Sequence, residues 1–103
     1  MVSEIIRVTP NVRQKFVLIR VIKDGKECLM IWGNPNIQWH KDIVDEASNI
    51  GYKILEVLGG GWLLLKPEEK TVYVWSKSER FGIAPISFVQ EIFKEKVIEK
   101  EPE

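Results

Sequence analysis

Residues 15–22 read Lys15-Phe16-Val17-Leu18-Ile19-Arg20-Val21-Ile22, an almost continuous run of apolar and β-branched side chains that decides the fold. A run this short and this apolar predicts a strand that is buried on both faces of a sheet. It is followed by Lys23-Asp24-Gly25-Lys26, which contains the Asp-Gly pair that favours a tight hairpin turn. Residues 27–32 are therefore expected to return as the neighbouring strand.

The segments on both sides of this hairpin extend the sheet and add two helices. A short first strand is predicted over residues 5–8. Residues 37–50 have helical periodicity, and the apolar stripe of this helix is predicted to consist of Trp39, Ile43, Ala47 and Ile50. Gly51 follows directly and is expected to end the helix. Further strands are predicted over 52–58, 62–65 and 71–75, and a second helix is predicted to begin at Pro85.

Together these elements predict an α/β (α+β) fold. The expected order is β-β-β-α-β-β-β-α, which gives a mixed six-stranded sheet flanked by two helices. The 103 residues, 1–103, are predicted to form a single domain. Residues 94–103 are nearly all Lys and Glu, and this charged tail is expected to fray.

The composition argues against several functional classes. Lys and Arg number 15 and Asp and Glu also number 15, so the chain has no overall basic charge that would attract nucleic acid. Cys28 is the only cysteine, which argues against an internal disulfide and against zinc sites built from several cysteines. No apolar run approaches the roughly 18 residues of a membrane-spanning helix, and the N-terminal segment lacks the apolar core of a signal peptide. A cytoplasmic monomer without a metal, a cofactor or a membrane partner is expected.

The only histidine, His40, lies in the first turn of the predicted helix. A helix N-terminus carries unpaired N–H groups and a partial positive charge, so it disfavours imidazolium and is a natural binding place for an anion. A neutral base beside an anion site suits phosphoryl chemistry. On position alone, however, a structural role at the edge of the apolar stripe is the commoner one for such a histidine.

Three other features can be interpreted either as structural or as part of an anion-binding site. Lys15 opens the buried strand, and it either binds an anion or solvates the strand end. Ser76-Lys77-Ser78 follows a strand, and its backbone N–H groups either form an anion-binding nest or belong to a simple polar loop. The glycines at 59–61 predict a bulge or a close approach of backbone, because no Gly-Lys-Ser/Thr follows them as in a phosphate-binding loop.

The chain has four tryptophans, which is many for a small domain. Trp39 and Trp75 fall on apolar stripes and are expected in the core. Trp32 and Trp62 each border a glycine at a strand end, so they are the candidates for a surface on which a ring or a base would stack.

Several of these motifs occur in an order that resembles a known family. They are Lys15-Phe16-Val17-Leu18-Ile19-Arg20-Val21, then Gly33, Trp39-His40-Lys41-Asp42-Ile43, Leu58-Gly59-Gly60-Gly61 and the loop from Ser76 to Gly82. Gly33 stands seven residues before His40. In order and spacing the chain resembles the phosphohistidine phosphatase family, also called the Janus/Ocnus family, over roughly residues 14–94.

The resemblance implies a six-stranded sheet flanked by two helices and hydrolysis of phosphate from protein histidine without a metal. His40 matches the proton acceptor of the family, and Lys15 matches its substrate-binding lysine. Ser76-Lys77-Ser78 matches the segment that holds the phosphate. The partner implied by the resemblance is a phosphorylated protein or a small phosphoramidate.

Two positions depart from the characterised animal members of that family. Those members carry an arginine just before the glycine that matches Gly33 and another directly after the triple glycine, where this chain has Trp32 and Trp62. Arginine holds a phosphate with two parallel hydrogen bonds, which tryptophan cannot provide. The loop is also two residues longer, through Glu79 and Arg80, and Arg80 is a candidate replacement guanidinium.

These departures leave three functions open. The first is a metal-independent phosphohistidine phosphatase-like hydrolase in which His40 accepts a proton from water or, alternatively, attacks phosphorus directly. The second is a non-catalytic module of the same fold that binds phosphate, a nucleotide or single-stranded nucleic acid. The third is an interaction protein whose site has decayed.

Overall fold

The computed structural model describes residues 3–103, which contain a six-stranded sheet and two α-helices. The strands are β1 (Ser3–Arg7), β2 (Gln14–Lys23), β3 (Lys26–Asn34), β4 (Lys53–Lys66), β5 (Thr71–Trp75) and β6 (Lys96–Ile98). The helices are α1 (His40–Ile50) and α2 (Ile86–Ile92), and a short 3₁₀ turn, Pro67–Glu69, joins β4 to β5. The predicted fold class, a mixed six-stranded sheet with two helices, is confirmed.

The strands lie in the order β1-β3-β2-β4-β5-β6. The inner pairs are antiparallel, whereas β1 pairs with β3 and β5 pairs with β6 in parallel. The predicted buried strand is β2, and the side chains from Phe16 to Ile19 are at most 2% exposed. It is buried on both faces because strands flank it on each side and helices cover it above and below.

Successive β2 side chains point to opposite faces of the sheet and divide the core into two layers. On the first face Val17 and Ile19 pack with Ile43 of α1. On the second face Leu18 packs with Val89 of α2. These are called the α1 face and the α2 face below, and the candidate site lies on the α1 face.

The course of β4 differs from the prediction of two separate strands over 52–58 and 62–65. Both segments belong to one strand of 14 residues. The glycines at 59–61 continue the strand, and the pairing of β2 with β4 shifts register between Leu18 and Ile19 and again between Arg20 and Val21. The first shift falls next to Gly59, so the bulge predicted for the glycines is confirmed.

The sixth strand follows α2, whereas the predicted order placed six strands before the last helix. It lies in the segment 94–103, where fraying is expected from the sequence. Residues 96–98 of β6 pair in parallel with residues 71–73 of β5, and Val97 packs on the α2-face core. Apolar Val97 and Ile98 were enough to form a strand despite the charged neighbours. The assignment of residues 1–103 to a single domain stays a prediction.

Within residues 3–103, neither helix has the length and apolar character needed to cross a bilayer.

Candidate functional site

A cleft of about 600 Å³ opens on the α1 face where the N-terminus of α1 meets β2, β4 and the loop after β5. It brings together the five side chains singled out in the sequence: Lys15, His40, Ser76, Lys77 and Ser78. These residues come from three separate segments of the chain, β2, α1 and the loop after β5, which the fold places side by side.

His40 is the first residue of α1 and lies on its buried side with Ile43 and Ala47. The ring is only 9% exposed, and its Nε2 lies 3.0 Å from the carbonyl oxygen of Gly61. A carbonyl oxygen can only accept a hydrogen bond, so Nε2 carries the hydrogen. The neutral ring therefore keeps its lone pair on Nδ1, which makes Nδ1 the nitrogen that can accept a proton.

Gly60 lets the sheet approach this ring closely. A Cβ atom at Gly60 would lie 2.9 Å from Cδ2 of His40 and 2.7 Å from the backbone oxygen of Phe16. A contact of 2.7 Å with backbone cannot be relieved by a side-chain rotation. Two adjacent residues of β4 therefore position His40: the carbonyl of Gly61 accepts its hydrogen bond, and Gly60 has no side chain that would collide with its ring.

Burial lowers the pKa of His40 below its ordinary value of 6.5, and the positive charge of Lys15 lowers it further, while the hydrogen bond to Gly61 acts in the opposite direction. The ring is therefore neutral at neutral pH. The lowered pKa agrees with the neutral ring expected at a helix N-terminus, although burial is the main cause of the shift.

We expect an NMR titration of His40, the only imidazole in the chain, to give a midpoint below pH 6.5. In the unfolded chain the same ring titrates near its ordinary pKa, so the unfolded state binds more protons between the two midpoints. The free energy of unfolding should consequently fall as the pH drops below 6.5 towards the lower, folded pKa. Removing the charge of Lys15 with Lys15→Met should move the midpoint upward. A midpoint above 6.5 in the native protein would contradict this description of the site.

Lys15 crosses the mouth of the cleft and is held there on three sides. Its Nζ donates a hydrogen bond of 2.6 Å to the carbonyl oxygen of Gln38. The same Nζ lies 5.6 Å from the ring centre of Trp39 and 5.8 Å from that of Trp62. The ammonium group is thereby placed next to His40 with donors to spare, because an ammonium has three.

The loop after β5 differs in part from the predicted anion nest. Ser76 has a left-handed backbone with φ of 66°, and the Ser76 and Lys77 side chains are exposed at the cleft. Ser78, in contrast, is 1% exposed, and its N–H donates to the carbonyl oxygen of Gly82 at 3.2 Å. Its hydroxyl accepts a hydrogen bond from the N–H of Phe81 at 3.1 Å. Ser78 therefore closes the loop, and Ser76 and Lys77 line the cleft.

The cleft is positively charged although the whole chain is neutral. Its lining includes four basic side chains, Lys15, Lys41, Lys77 and Arg80, against two acidic ones, Asp42 and Glu79. The N-terminus of α1 adds its partial positive charge, and within residues 3–103 no side chain caps it. An anion is the ligand that this arrangement favours.

The four tryptophans are distributed differently from the prediction. Trp39, expected in the core, is 62% exposed and lines the cleft. Its backbone is extended, with φ of −116° and ψ of 134°, because it precedes the first helical turn. Trp75 is half-buried and stacks on Trp62 with ring centres 6.3 Å apart.

Trp32 and Trp62, the two tryptophans that border a glycine at a strand end, have separate environments. Trp32 is 4% exposed, and its Nε1 donates a hydrogen bond of 2.6 Å to Glu46 of α1. It lies in the α1-face core and not in the cleft. Trp62 is half-buried and lines the cleft beside Lys15. Of these two tryptophans, only Trp62 contributes to the chemistry of the cleft.

Some groups of the site have no signal in the sequence. The partner of His40 is a backbone carbonyl, which any residue at position 61 would supply. Lys41 and Asp42 look like ordinary exposed helix residues, and only their closeness to His40 in sequence points to them. Within residues 3–103 no three His, Cys, Asp or Glu side chains are grouped so that they could hold a metal ion.

Comparison with known proteins identifies the class of the chain. A model described as the Janus/Ocnus family (Ocnus) matches residues 2–101, and the chain belongs to this family. Among its relatives are the sex-regulated proteins janus-A of Drosophila yakuba, at 32% identity, and of Drosophila orena and Drosophila erecta, at 31% each. Each alignment is 84 positions long and covers 78% of this chain and 62% of the relative. The chain thus spans about three fifths of the length of these relatives.

Proposed function

We propose that the protein is a phosphohistidine phosphatase-like hydrolase that removes phosphate from protein histidine or a related phosphoramidate. The observation that supports this proposal most is the state of His40. A buried, neutral ring is fixed through Nε2 to Gly61, and its basic Nδ1 belongs to a positively charged cleft. A positioned general base with a pKa close to the working pH is what such a hydrolysis requires.

The phosphoryl group has several donors within the cleft. Lys15 contributes an ammonium group, and the uncapped start of α1 contributes backbone N–H groups. The backbone of Ser76 and Lys77 contributes further N–H groups, while buried Ser78 holds the loop in shape. Donors fixed in advance stabilise the charge that develops on the phosphoryl oxygens without reorganising during the reaction.

The proposed step is an in-line attack of water on phosphorus. The water oxygen forms the new P–O bond while one of its protons passes to Nδ1 of His40. The P–N bond breaks, and its electron pair goes to the nitrogen of the leaving imidazole or amine. That nitrogen then takes up the proton from His40, which regenerates the neutral base and releases inorganic phosphate.

Direct attack by Nδ1 of His40 is the mechanistic alternative. It would place the phosphoryl group on the enzyme before water removes it, so the two routes differ in a covalent intermediate. Rapid quenching into alkali, followed by mass spectrometry of the protein, detects phosphate on His40 under the second route only.

Phosphate release tests the proposal. Phosphoramidate, a phosphohistidine-bearing protein and a phosphoserine peptide are each incubated with the protein, and inorganic phosphate is followed by ³¹P NMR. Release from the first two substrates and not from phosphoserine is expected, since a P–N bond is weaker than a phosphate ester. No release from any substrate by folded protein would contradict the proposal and favour a binding module or an interaction protein.

Trp62→Arg is expected to raise kcat/KM for phosphoramidate by about tenfold. The change places a bidentate phosphate donor beside Lys15 in the cleft, and one extra charge-assisted hydrogen bond in the transition state is worth about 1.5–3 kcal/mol. Trp62→Leu is the matched control, because it removes the ring without adding a donor. Equal rates for Trp62→Arg and Trp62→Leu would show that position 62 does not reach the phosphoryl group.

A second candidate function is a binding module without turnover, and one observation favours it. Trp39 and Trp62 flank the cation of Lys15 at the cleft, which suits a ligand that carries both an anion and a planar ring. Titration of tryptophan fluorescence with phosphate, nucleotides and oligonucleotides tests this function. Salt-dependent quenching by oligonucleotides alone, without phosphate release from phosphoramidate, would favour it over the hydrolase.

A further inference from the structure

Two stacked aromatic rings with a cation at each end form a row that runs from the cleft across the α1 face. Lys15 of β2 lies directly opposite Trp62 of β4, and Trp62 lies directly opposite Trp75 of β5. The indole rings are stacked, with planes 19° apart. Beyond them the guanidinium of Arg13 lies 5.6 Å from the ring centre of Trp75. The row therefore begins beside His40 and ends at an arginine outside the cleft.

This row is open to solvent. Helix α1 packs against β2, β3 and β4, and Trp62 and Trp75 keep part of their surfaces exposed. Stacked rings with a cation at each end offer a peptide both an apolar floor and a partner for a carboxylate.

The chain itself shows what Arg13 binds. Its Nη1 donates to the carboxylate of Glu101 at 2.7 Å, and its Nη2 donates to the backbone carbonyl of Pro102 at 2.8 Å. A glutamate side chain and a neighbouring peptide carbonyl thus fill the two hydrogen-bonding directions of the guanidinium. The side chains of Arg13 and Glu101 are largely exposed, at 44% and 57%, and an exposed ion pair of this kind is weak. A second acidic peptide of the same chemistry can replace it at little cost.

We infer that Arg13 and Trp75 form a docking site for an acidic residue of a polypeptide substrate, which competes with the chain's own Glu101 and Pro102. This inference rests on the proposed function and adds the substrate class to it. Lys15 and Trp75 are two strands apart, which is about 10 Å at the usual spacing of strands. An extended peptide advances about 3.3 Å per residue. The acidic residue of the substrate peptide would therefore lie about three residues from its phosphohistidine.

Two pairs of synthetic phosphohistidine peptides test the inference. Within each pair a glutamate three residues before or after the phosphohistidine is compared with glutamine at the same place. KM and kcat are measured for wild type, Arg13→Gln, Glu101→Gln and Arg20→Gln, with phosphoramidate as a substrate too small to reach Arg13. Arg20 is the matched control, because it is also a β2-region arginine in exposed ion pairs, in its case with Glu27 and Glu56.

The wild type is expected to show a KM about five- to tenfold lower for the glutamate peptide of one pair, with kcat nearly equal. Arg13→Gln should abolish that difference and leave phosphoramidate hydrolysis unchanged, whereas Arg20→Gln should keep it. Glu101→Gln should lower KM for the glutamate peptide about twofold by removing the internal competitor. Equal KM values for glutamate and glutamine peptides in the wild type would overturn the inference, as would equal effects of Arg13→Gln and Arg20→Gln.

Binding measured by tryptophan fluorescence separates this inference from the proposed function. If phosphoramidate and the peptides are not hydrolysed, the hydrolase proposal fails. Tighter binding of the glutamate peptide, lost in Arg13→Gln, would then still support the docking site. An oligothymidylate whose binding depends on Arg13, together with no preference for the glutamate peptide, would overturn the inference in favour of nucleic acid.

Discussion

His40→Ala is expected to lower the rate of phosphoramidate hydrolysis by about 10²- to 10⁴-fold, the usual contribution of a positioned general base. The variant removes Nδ1, and no other imidazole exists in the chain to replace it. The anion donors remain in place, so phosphate should still bind with similar affinity. Phosphate release by ³¹P NMR gives the rate, and chemical-shift changes on adding phosphate report binding.

The control for this variant is Asn49→Ala, a substitution on the exposed side of the same helix. It should retain the wild-type rate and the circular dichroism of the native fold. A His40→Ala protein that is folded and hydrolyses phosphoramidate at the wild-type rate would refute the role of His40 as base.

Gly60→Ala is expected to lower the same rate by about 100-fold, since a displacement of a catalytic group by about 1 Å can have that effect. The new Cβ would lie 2.9 Å from Cδ2 of His40, so the ring must move away from its hydrogen bond with Gly61. The backbone oxygen of Phe16, which would lie 2.7 Å from the same Cβ, prevents β4 from relaxing freely. A loss of stability of about 1–3 kcal/mol accompanies such overpacking.

Gly25→Ala separates the effect on the ring from a general loss of stability. At Gly25 a Cβ would meet no atom within 4 Å, but the backbone φ of 76° makes alanine strained there. This hairpin variant should therefore be destabilised and still keep the wild-type rate. Rates are compared at a temperature where denaturant titration shows both variants to be fully folded. An unchanged rate and an unchanged NMR titration of His40 in Gly60→Ala would contradict the close packing of ring and strand.

The central hairpin could be predicted because local signals decide it. The apolar run of β2, the Asp-Gly pair and the return strand are all within reach of one another in sequence. The course of β4 could not be predicted in the same way. Three glycines permit a turn as readily as an extended strand, and Gly60 and Gly61 are extended because they pair with Val17 and Phe16 of β2.

The residue at which α1 begins decides which side chains near its N-terminus are buried. Spacing alone put Trp39 on the buried stripe and His40 at its edge. The helix begins at His40, however, so Trp39 does not share the helical periodicity and is exposed, while His40 is buried with Ile43. Helix boundaries depend on tertiary contacts such as the hydrogen bond from His40 to Gly61, which periodicity does not contain.

The prediction that Lys15, His40 and residues 76–78 belong to one site rested on a different kind of signal. Neither spacing nor composition indicates that these segments meet, and the expectation came from the order of motifs in a resembling family. Their catalytic and binding roles stay predictions until the variants are measured. The separation of Trp32 from Trp62 could not be predicted, because both face the same side of the sheet and only the position of α1 decides which one it covers.

The late position of β6 has a consequence for synthesis of the chain. β5 leads directly into the loop at Ser76, and among residues 3–103 the strand that pairs with its outer edge is residues 96–98. While a ribosome is still translating α2, that edge is bare, and unpaired strand edges are the places where nascent chains associate wrongly. A product stalled or clipped before residue 96 should therefore be a substrate for chaperones and proteases, even though the residues that line the cleft, all between 15 and 80, are present in it.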